Sequence, residues 1–370
     1  MSQQVEPIII RGAFSSPYSL KMRAVLRYRR IPFRWVLKDS QWDIYPQGSV
    51  PVIPVLIFPG DDGGYLETLT DSSPQITRLE ADFPERSLIP TDPAVAFIDF
   101  LLEDFADEWV TKMMYHYRWA YDADVEKSGW LLPIDRNLHA PAALLQQAHD
   151  MIIERQVGRR ALVGSTDTNQ PAIEGSYLRL LDILQAHLAE QPFLLGDRPG
   201  RSDVALYGQL KPMLWWDPTP TAIGVEHAPR AINWIERVDD LSWWPVEGDG
   251  GWHEADALAP TVRSLLIEAG RAYAPFMVAN AAALDAGAEE VVCEIPFAVV
   301  PISTENHDPS ANRLEDELQE VESKACKSVT VGDHNFRDHS FDCSFQNGTQ
   351  SPPLEVDTGG DVGEDLVARV

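Results

Sequence analysis

Pro7-Ile8-Ile9-Ile10-Arg11-Gly12-Ala13-Phe14-Ser15-Ser16-Pro17-Tyr18-Ser19-Leu20-Lys21-Met22-Arg23 is the stretch on which the reading of this chain turns. A short β-branched run predicts a strand, Gly12 to Ser16 a turn, and Pro17 the first turn of a helix. From Pro17 to Arg30 the apolar residues Leu20, Val25 and Leu26 alternate with charges, as in an amphipathic helix. A strand running into a helix start through small polar residues sets exposed N–H groups and the positive end of the helix dipole at one point. Such a point favours an anion. A serine hydroxyl there can stabilise a thiolate and so lower a thiol's pKa; the plainer alternative is that serine before proline caps the helix.

Working outward, Phe33 to Leu37 reads as a second strand and Val52 to Phe58 as a third. Gly60 to Gly64 reads as a hairpin turn into Tyr65 to Leu69, and Ser72 to Phe83 as a helix stopped by Pro84. The order β-α-β, β-hairpin, α predicts an α/β fold of thioredoxin type over residues 1–90. After Pro93 the period changes. Phe97, Ile98, Leu101, Leu102, Phe105, Trp109 and Met113 recur at helical spacing, and further helical patterns cover 140–157, 172–190, 203–215, 229–238 and 257–284. Residues 91–290 are therefore expected to form an all-helical domain, with a strand signal only at Glu290 to Val300.

Beyond 301 the periodicity fades, apart from a possible short helix at Leu314 to Val321. Fifteen acidic against five basic side chains give 301–370 a net charge of −10. This composition predicts an acidic extension, 291–370, mostly disordered after 301.

The 370 residues carry a net charge of −27, which excludes nucleic acid and anionic membranes as expected partners. No run approaches the ~20 apolar residues of a membrane helix, and the first residues do not read as a signal peptide. The three cysteines, Cys293, Cys326 and Cys343, leave the first 292 residues without any, which favours a reducing, cytoplasmic setting. The basic stretch from Arg11 to Lys38 reads as either a small-anion site or a solvated helix face. His334, His339 and Cys343 lack a metal-ligand frame, so no metal is expected. No histidine has a context tying it to a serine, so no nucleophile triad is readable.

Two further segments matter. Val50-Pro51-Val52-Ile53-Pro54 sets a proline at the entrance to the third strand, and Asp71-Ser72-Ser73-Pro74 sets a carboxylate and hydroxyls at a helix start. On these residues the chain resembles the cytosolic glutathione transferase superfamily, in its serine-type, longer bacterial-type members. Ser16-Pro17-Tyr18-Ser19 stands where glutaredoxins have Cys-Pro-Tyr-Cys. The resemblance implies that Ser16, with Ser15 the near alternative, activates the sulfur of glutathione as co-substrate. It also implies that Ile53 and Pro54 form the cis-proline turn facing the cysteinyl part, with Pro51 competing, and that Asp71 and Ser72 hold the γ-glutamyl end.

The segment Pro192 to Gly208 is similar to the family's buried helix start. Gly200 stands where a capping serine or threonine is usual, and Asp203 reads as a folding residue. The resemblance spans about 8–290 and carries with it an acceptor pocket at Tyr18, Tyr115 and Trp119, a small hydrophobic electrophile as second substrate, and a homodimer. A non-catalytic transferase-fold binding protein is the competing reading. A glutaredoxin-like oxidoreductase is disfavoured because the active turn has no cysteine.

Overall fold

A computed structural model of the chain describes residues 6–48, 50–60, 63–246, 248–286, 290–296 and 326–332. The first lobe runs β1 (Ile8–Gly12), α1 (Pro17–Tyr28), β2 (Phe33–Leu37), β3 (Val55–Pro59), β4 (Tyr65–Thr70) and α2 (Ser72–Asp82). Its sheet has the order β2-β1-β3-β4. β2 lies parallel to β1, as a strand returning after a helix must, and β3 and β4 are antiparallel. Ile9 faces Ile57 and Ile10 faces Leu56 across the central pair. Successive side chains of β1 point to opposite faces: Ile8 and Ile10 join the main core, and Ile9 joins Val36, Val55 and Ile57. This is the expected thioredoxin-like architecture, with strand limits shifted by a few residues.

The rest is mostly helical: α3 (Pro93–Phe105), α4 (Thr111–Ala120), α5 (Asp122–Arg136), α6 (Ala142–Gly158), α7 (Gln170–His187), α8 (Arg201–Lys211), α9 (Pro218–His227), α10 (Pro229–Val238), α11 (Pro260–Glu268) and α12 (Ala274–Asp285). Of three π-helical turns, Ala106–Val110 and Ala269–Tyr273 join consecutive helices end to end, while Pro212–Trp216 extends α8 and is separated from α9 by the extended Asp217. Each inserts extra residues into the 3.6 period and rotates the apolar face. Phe97, expected on the buried face of the helix after Pro93, is exposed, while Leu102, Phe105, Trp109 and Met113 fill the core. Two helices, α5 and α9, were not expected from the periodicity.

The acidic extension departs from expectation in one place. β5 (Glu290–Pro296) pairs antiparallel with β6 (Cys326–Gly332), so part of the segment expected to be disordered forms a strand. The other residues after 296, including the short helix expected at Leu314 to Val321, lie outside the described residues. No helix among the described residues is long and apolar enough to cross a membrane.

The lobes meet along α1 and α8. Gly208 allows the approach: a Cβ there would stand 2.6 Å from the Pro17 carbonyl oxygen. Arg23 and Arg27 pair with Asp239, Arg30 donates to the Ser242 carbonyl, and Arg198 donates to the Ser87 carbonyl. Elsewhere Arg11 pairs with Asp43, Arg29 with Glu80, and Lys21 with Glu103 and Asp107. The basic stretch is thus neither a solvated face nor, at these residues, an open anion site. Most of its cations are spent on internal partners.

The start of α8 shows how the missing cap is replaced. Asp203 accepts from the Gly200 N–H at 2.9 Å and the Leu194 N–H at 3.0 Å. Asp99 of α3 reaches across and accepts from the Ser202 N–H at 3.0 Å, the Ser202 hydroxyl at 2.6 Å and the Arg201 N–H at 3.3 Å. A Cβ on Gly200 would lie 2.4 Å from Asp99 Oδ1. The glycine is therefore required by a carboxylate that caps the helix from a neighbouring one. Burial pushes Asp99 up to about 7 and Asp203 up to about 8, against the hydrogen bonds that favour their charged forms.

Candidate functional site

The turn between β1 and α1 sits between two helices of the second lobe. Ser16 is the N-cap of α1, its hydroxyl oxygen accepting from the Ser19 N–H at 3.3 Å. Ser16 is only 4% exposed and Ser15 8%, whereas Phe14 is 51% exposed. The open edge of the turn is thus Phe14–Ser15, with Ser16 behind it. From below, Arg118 of α4 donates to the Ser15 carbonyl at 3.2 Å while paired with the buried Asp217 at 3.1 Å. Burial pushes Asp217 up to about 6, with Arg118 opposing. From the side, Asp135 of α5 accepts from the Phe14 N–H at 2.9 Å and stands 3.5 Å from Ser15 Oγ. A carboxylate of this chain therefore already occupies one N–H of the loop expected to attract an anion.

A second group joins the remaining elements. The Ile53–Pro54 peptide is cis, which distinguishes Pro54 from Pro51 as the turn proline. Gln75 of α2 donates to the Pro54 carbonyl at 2.9 Å and to the Leu69 carbonyl at 2.7 Å. Asp71 caps α2 through the Ser73 N–H and has φ 71°, a left-handed conformation unusual for an aspartate. Such strain persists only where the surroundings hold it, and it gathers at functional sites. Ser72 is buried, and its hydroxyl accepts from Lys21 Nζ at 3.0 Å.

Lys21 also reaches Glu103 at 2.8 Å and Asp107 at 2.6 Å, and Ser73 donates to Glu103 at 2.9 Å. Burial acts to lower the Lys21 pKa, but the two carboxylates outweigh it and hold the ammonium charged. Burial would raise Glu103, yet Lys21 and Arg201 pull it down. For Asp107 burial wins, pushing it up to about 7 despite Lys21. One lysine thus ties α1, α2 and α3 together.

These links join five of the expected site residues, Ser15, Ser16, Pro54, Asp71 and Ser72, through α1, α2 and the cis turn, with Ile53 buried next to it. Three others are placed elsewhere. Tyr18 donates to the Asp107 carbonyl at 2.8 Å and is buried as a strut between the lobes. Tyr115 donates to the Gln156 carbonyl at 2.8 Å, and it packs with Trp119 and Val163 in a separate cluster that includes Leu132 and Ile152. Both are core side chains of the helical lobe. The reason is that α5 and α6 cover the face of α4 that carries them.

Asp135 and Arg118 are the residues sequence reading missed as neighbours of the serine turn. No local signal could have shown them, since both act from more than 100 positions away in sequence. A Ser–His–Glu arrangement is also present: His116 lies 2.8 Å from Ser165 Oγ and 3.1 Å from Glu174. With His116 0% and Ser165 2% exposed, there is no room for an acyl group, and the trio serves to hold α4 to α7. A groove of ≈ 230 Å³ beside α10, lined by Phe193, Trp234 and Trp244 among others, contains none of the expected site residues. Among the described residues no cluster of potential metal ligands is found.

Residues 12–87 match the family model of the glutathione S-transferase N-terminal domain. Similar solved structures include a glutathione S-transferase from Rhodospirillum rubrum F11, 18% identical, covering 62% of this chain and 87% of that one with a TM-score of 0.37. A glutathione transferase family member from Pseudomonas fluorescens pf-5, with two glutathione bound, is 16% identical over 64% of this chain and 88% of that one, TM-score 0.38. The β-etherase LigF of Sphingobium sp. strain SYK-6 is 17% identical over 71% of this chain and all (100%) of that one, TM-score 0.41. No curated protein matches the chain.

Proposed function

We propose that this chain, a member of the glutathione S-transferase superfamily by the domain in residues 12–87, binds glutathione and transfers its sulfur to a small hydrophobic electrophile. The γ-glutamyl end would lie at Asp71–Ser72, the cysteinyl backbone at Ile53–Pro54, and the sulfur at the Ser15–Ser16 turn. The observation that carries this reading is the physical linkage of the three positions. Lys21 bonds the start of α2 to α1, and Gln75 bonds α2 to the cis-proline turn.

The N-terminal dipole of α1 and a serine hydroxyl would favour the thiolate over the thiol. Ser15 is the better placed donor, since it borders the open edge at Phe14. Ser16 spends its oxygen on the helix cap, although its single hydrogen can still donate outward. The exposed Phe14 ring beside Ser15 offers an apolar surface to the second substrate. A homodimer belongs to the same reading and is supported by the exposed Phe97 and Phe100 of α3 and Leu66 on the edge strand β4. A cytoplasmic setting fits the 292 cysteine-free residues.

Calorimetric titration with glutathione tests the proposal, comparing the wild type with Ser15→Ala and Ser16→Ala. The wild type should bind. Ser15→Ala should lower conjugation of a model electrophile roughly 10- to 100-fold, the range for losing one hydrogen-bond donor to a developing anion. Ser16→Ala should chiefly cost about 1 kcal/mol of stability as a lost cap. Absence of measurable wild-type affinity would end this reading. The enclosure of both serines favours a second one, a binding protein without turnover; it predicts glutathione affinity but no conjugation.

A further inference from the structure

We propose that Asp135 is the proton acceptor for the sulfur at the β1–α1 turn, an inference that rests on the glutathione-binding reading above. The carboxylate comes from α5, in the opposite lobe, and leans over the turn between Phe14 and Ser15. A sulfur placed to accept from the Ser15 hydroxyl lies within reach of Asp135, which stands 3.5 Å from that same oxygen. Two anions cannot share this corner without paying Coulomb repulsion in a partly dehydrated site. A thiol and a carboxylate can, because the S–H then has an acceptor.

The step balances within the pair. The S–H bond breaks and its electron pair stays on sulfur, while the proton forms an O–H bond on the Asp135 carboxyl. One negative charge is present before and after, now on the sulfur and facing the loop N–H groups. The N–H of Phe14, released by the neutral carboxyl, becomes a donor to the thiolate.

The surroundings of Asp135 support this role. Burial raises its pKa, narrowing the gap to a thiol, while the N–H groups of Phe14 and Ser15, the Arg136 guanidinium and the Ser15 hydroxyl oppose that rise. Arg136 is itself engaged with Asp39 of the first lobe at 3.7 Å. Arg118 holds the Ser15 carbonyl on the other side of the turn, so its charge belongs to Asp217.

The test is a proton inventory on the full chain. Glutathione is titrated calorimetrically in two buffers of different ionisation enthalpy, at a pH where the free thiol is protonated, with thiolate followed by its ultraviolet absorbance. In the wild type, thiolate should appear with close to zero protons released per thiolate; in Asp135→Asn the ratio should rise to about one. S-methylglutathione, which has no S–H, should bind both proteins with no proton change. A wild type that releases about one proton per thiolate, or that binds glutathione without forming thiolate, overturns the role of Asp135 and leaves glutathione binding standing. An unchanged ratio in Asp135→Asn overturns it as well. If neither glutathione nor S-methylglutathione binds the wild type, the glutathione reading itself falls.

Discussion

Exchanging the cap between Gly200 and Asp99 is the most demanding test of the architecture. Asp99→Ala removes the acceptor of three donors, the Ser202 N–H at 3.0 Å, the Ser202 hydroxyl at 2.6 Å and the Arg201 N–H at 3.3 Å. Asp99 and Ser202 are both fully buried, so water cannot replace the carboxylate. Each orphaned buried donor costs about 1–3 kcal/mol, offset in part by removing a carboxylate that burial already disfavours. The net loss should be about 2–4 kcal/mol.

Gly200→Ser alone adds a Cβ 2.4 Å from Asp99 Oδ1, an overlap that costs about 1–3 kcal/mol. In the double variant the overlap is gone, and the serine hydroxyl can cap α8 itself, recovering about 1 kcal/mol. The two substitutions should therefore be strongly non-additive, the double variant being more stable than the sum of the singles by about 2–4 kcal/mol. Urea unfolding followed by tryptophan fluorescence gives all four stabilities, provided the m-values agree. Additivity to within about 0.5 kcal/mol, or a Gly200→Ser protein as stable as the wild type, would refute the account.

Lys21→Met should destabilise by about 3–5 kcal/mol, because it strands the buried Asp107 carboxylate and leaves Glu103 with Arg201 as its remaining cation. Adding Asp107→Leu should recover part of that loss, and a single variant that loses less than about 1 kcal/mol would contradict the assignment of Lys21 as the tie between α1, α2 and α3. Stability should also fall as pH rises from about 5 to 8. Burial lifts Asp217 to about 6, Asp99 and Asp107 to about 7 and Asp203 to about 8. The folded chain keeps protons that the unfolded chain releases near its ordinary pKa of ~3.9, so each group contributes stability in acid and loses it as pH climbs through its raised value. Asp99→Asn should flatten this slope in denaturation curves; a slope of the opposite sign would contradict it.

The sheet and the first two helices were legible because local signals agree there: β-branched runs, a proline at the first helical position, and a glycine-rich turn. Helix α5 was not. Its buried residues are Asp124, Ser128, Gly129 and Pro133, so no apolar stripe exists to be read, and glycine and proline within it argue against a helix. The helix bearing the carboxylate nearest Ser15 was thus hidden by its own composition. The arginines of α1 were visible as charges, but Asp239, which neutralises two of them, lies more than 200 residues away. At Ser16 local signals held both alternatives open, cap and sulfur ligand, and the structure adds that its oxygen caps α1 while the turn is open at Phe14.

The seam between the lobes carries unlike charges beside the apolar core that α1 and α8 share, and this limits how the halves can be traded. Arg23, Arg27 and Lys21 on one side answer Asp239, Glu103 and Asp107 on the other. A chimera grafting this first lobe onto another protein's helices would maroon those cations against foreign neighbours. Recombination at this joint succeeds only when the matching acids travel too, so the two halves are inherited as a set.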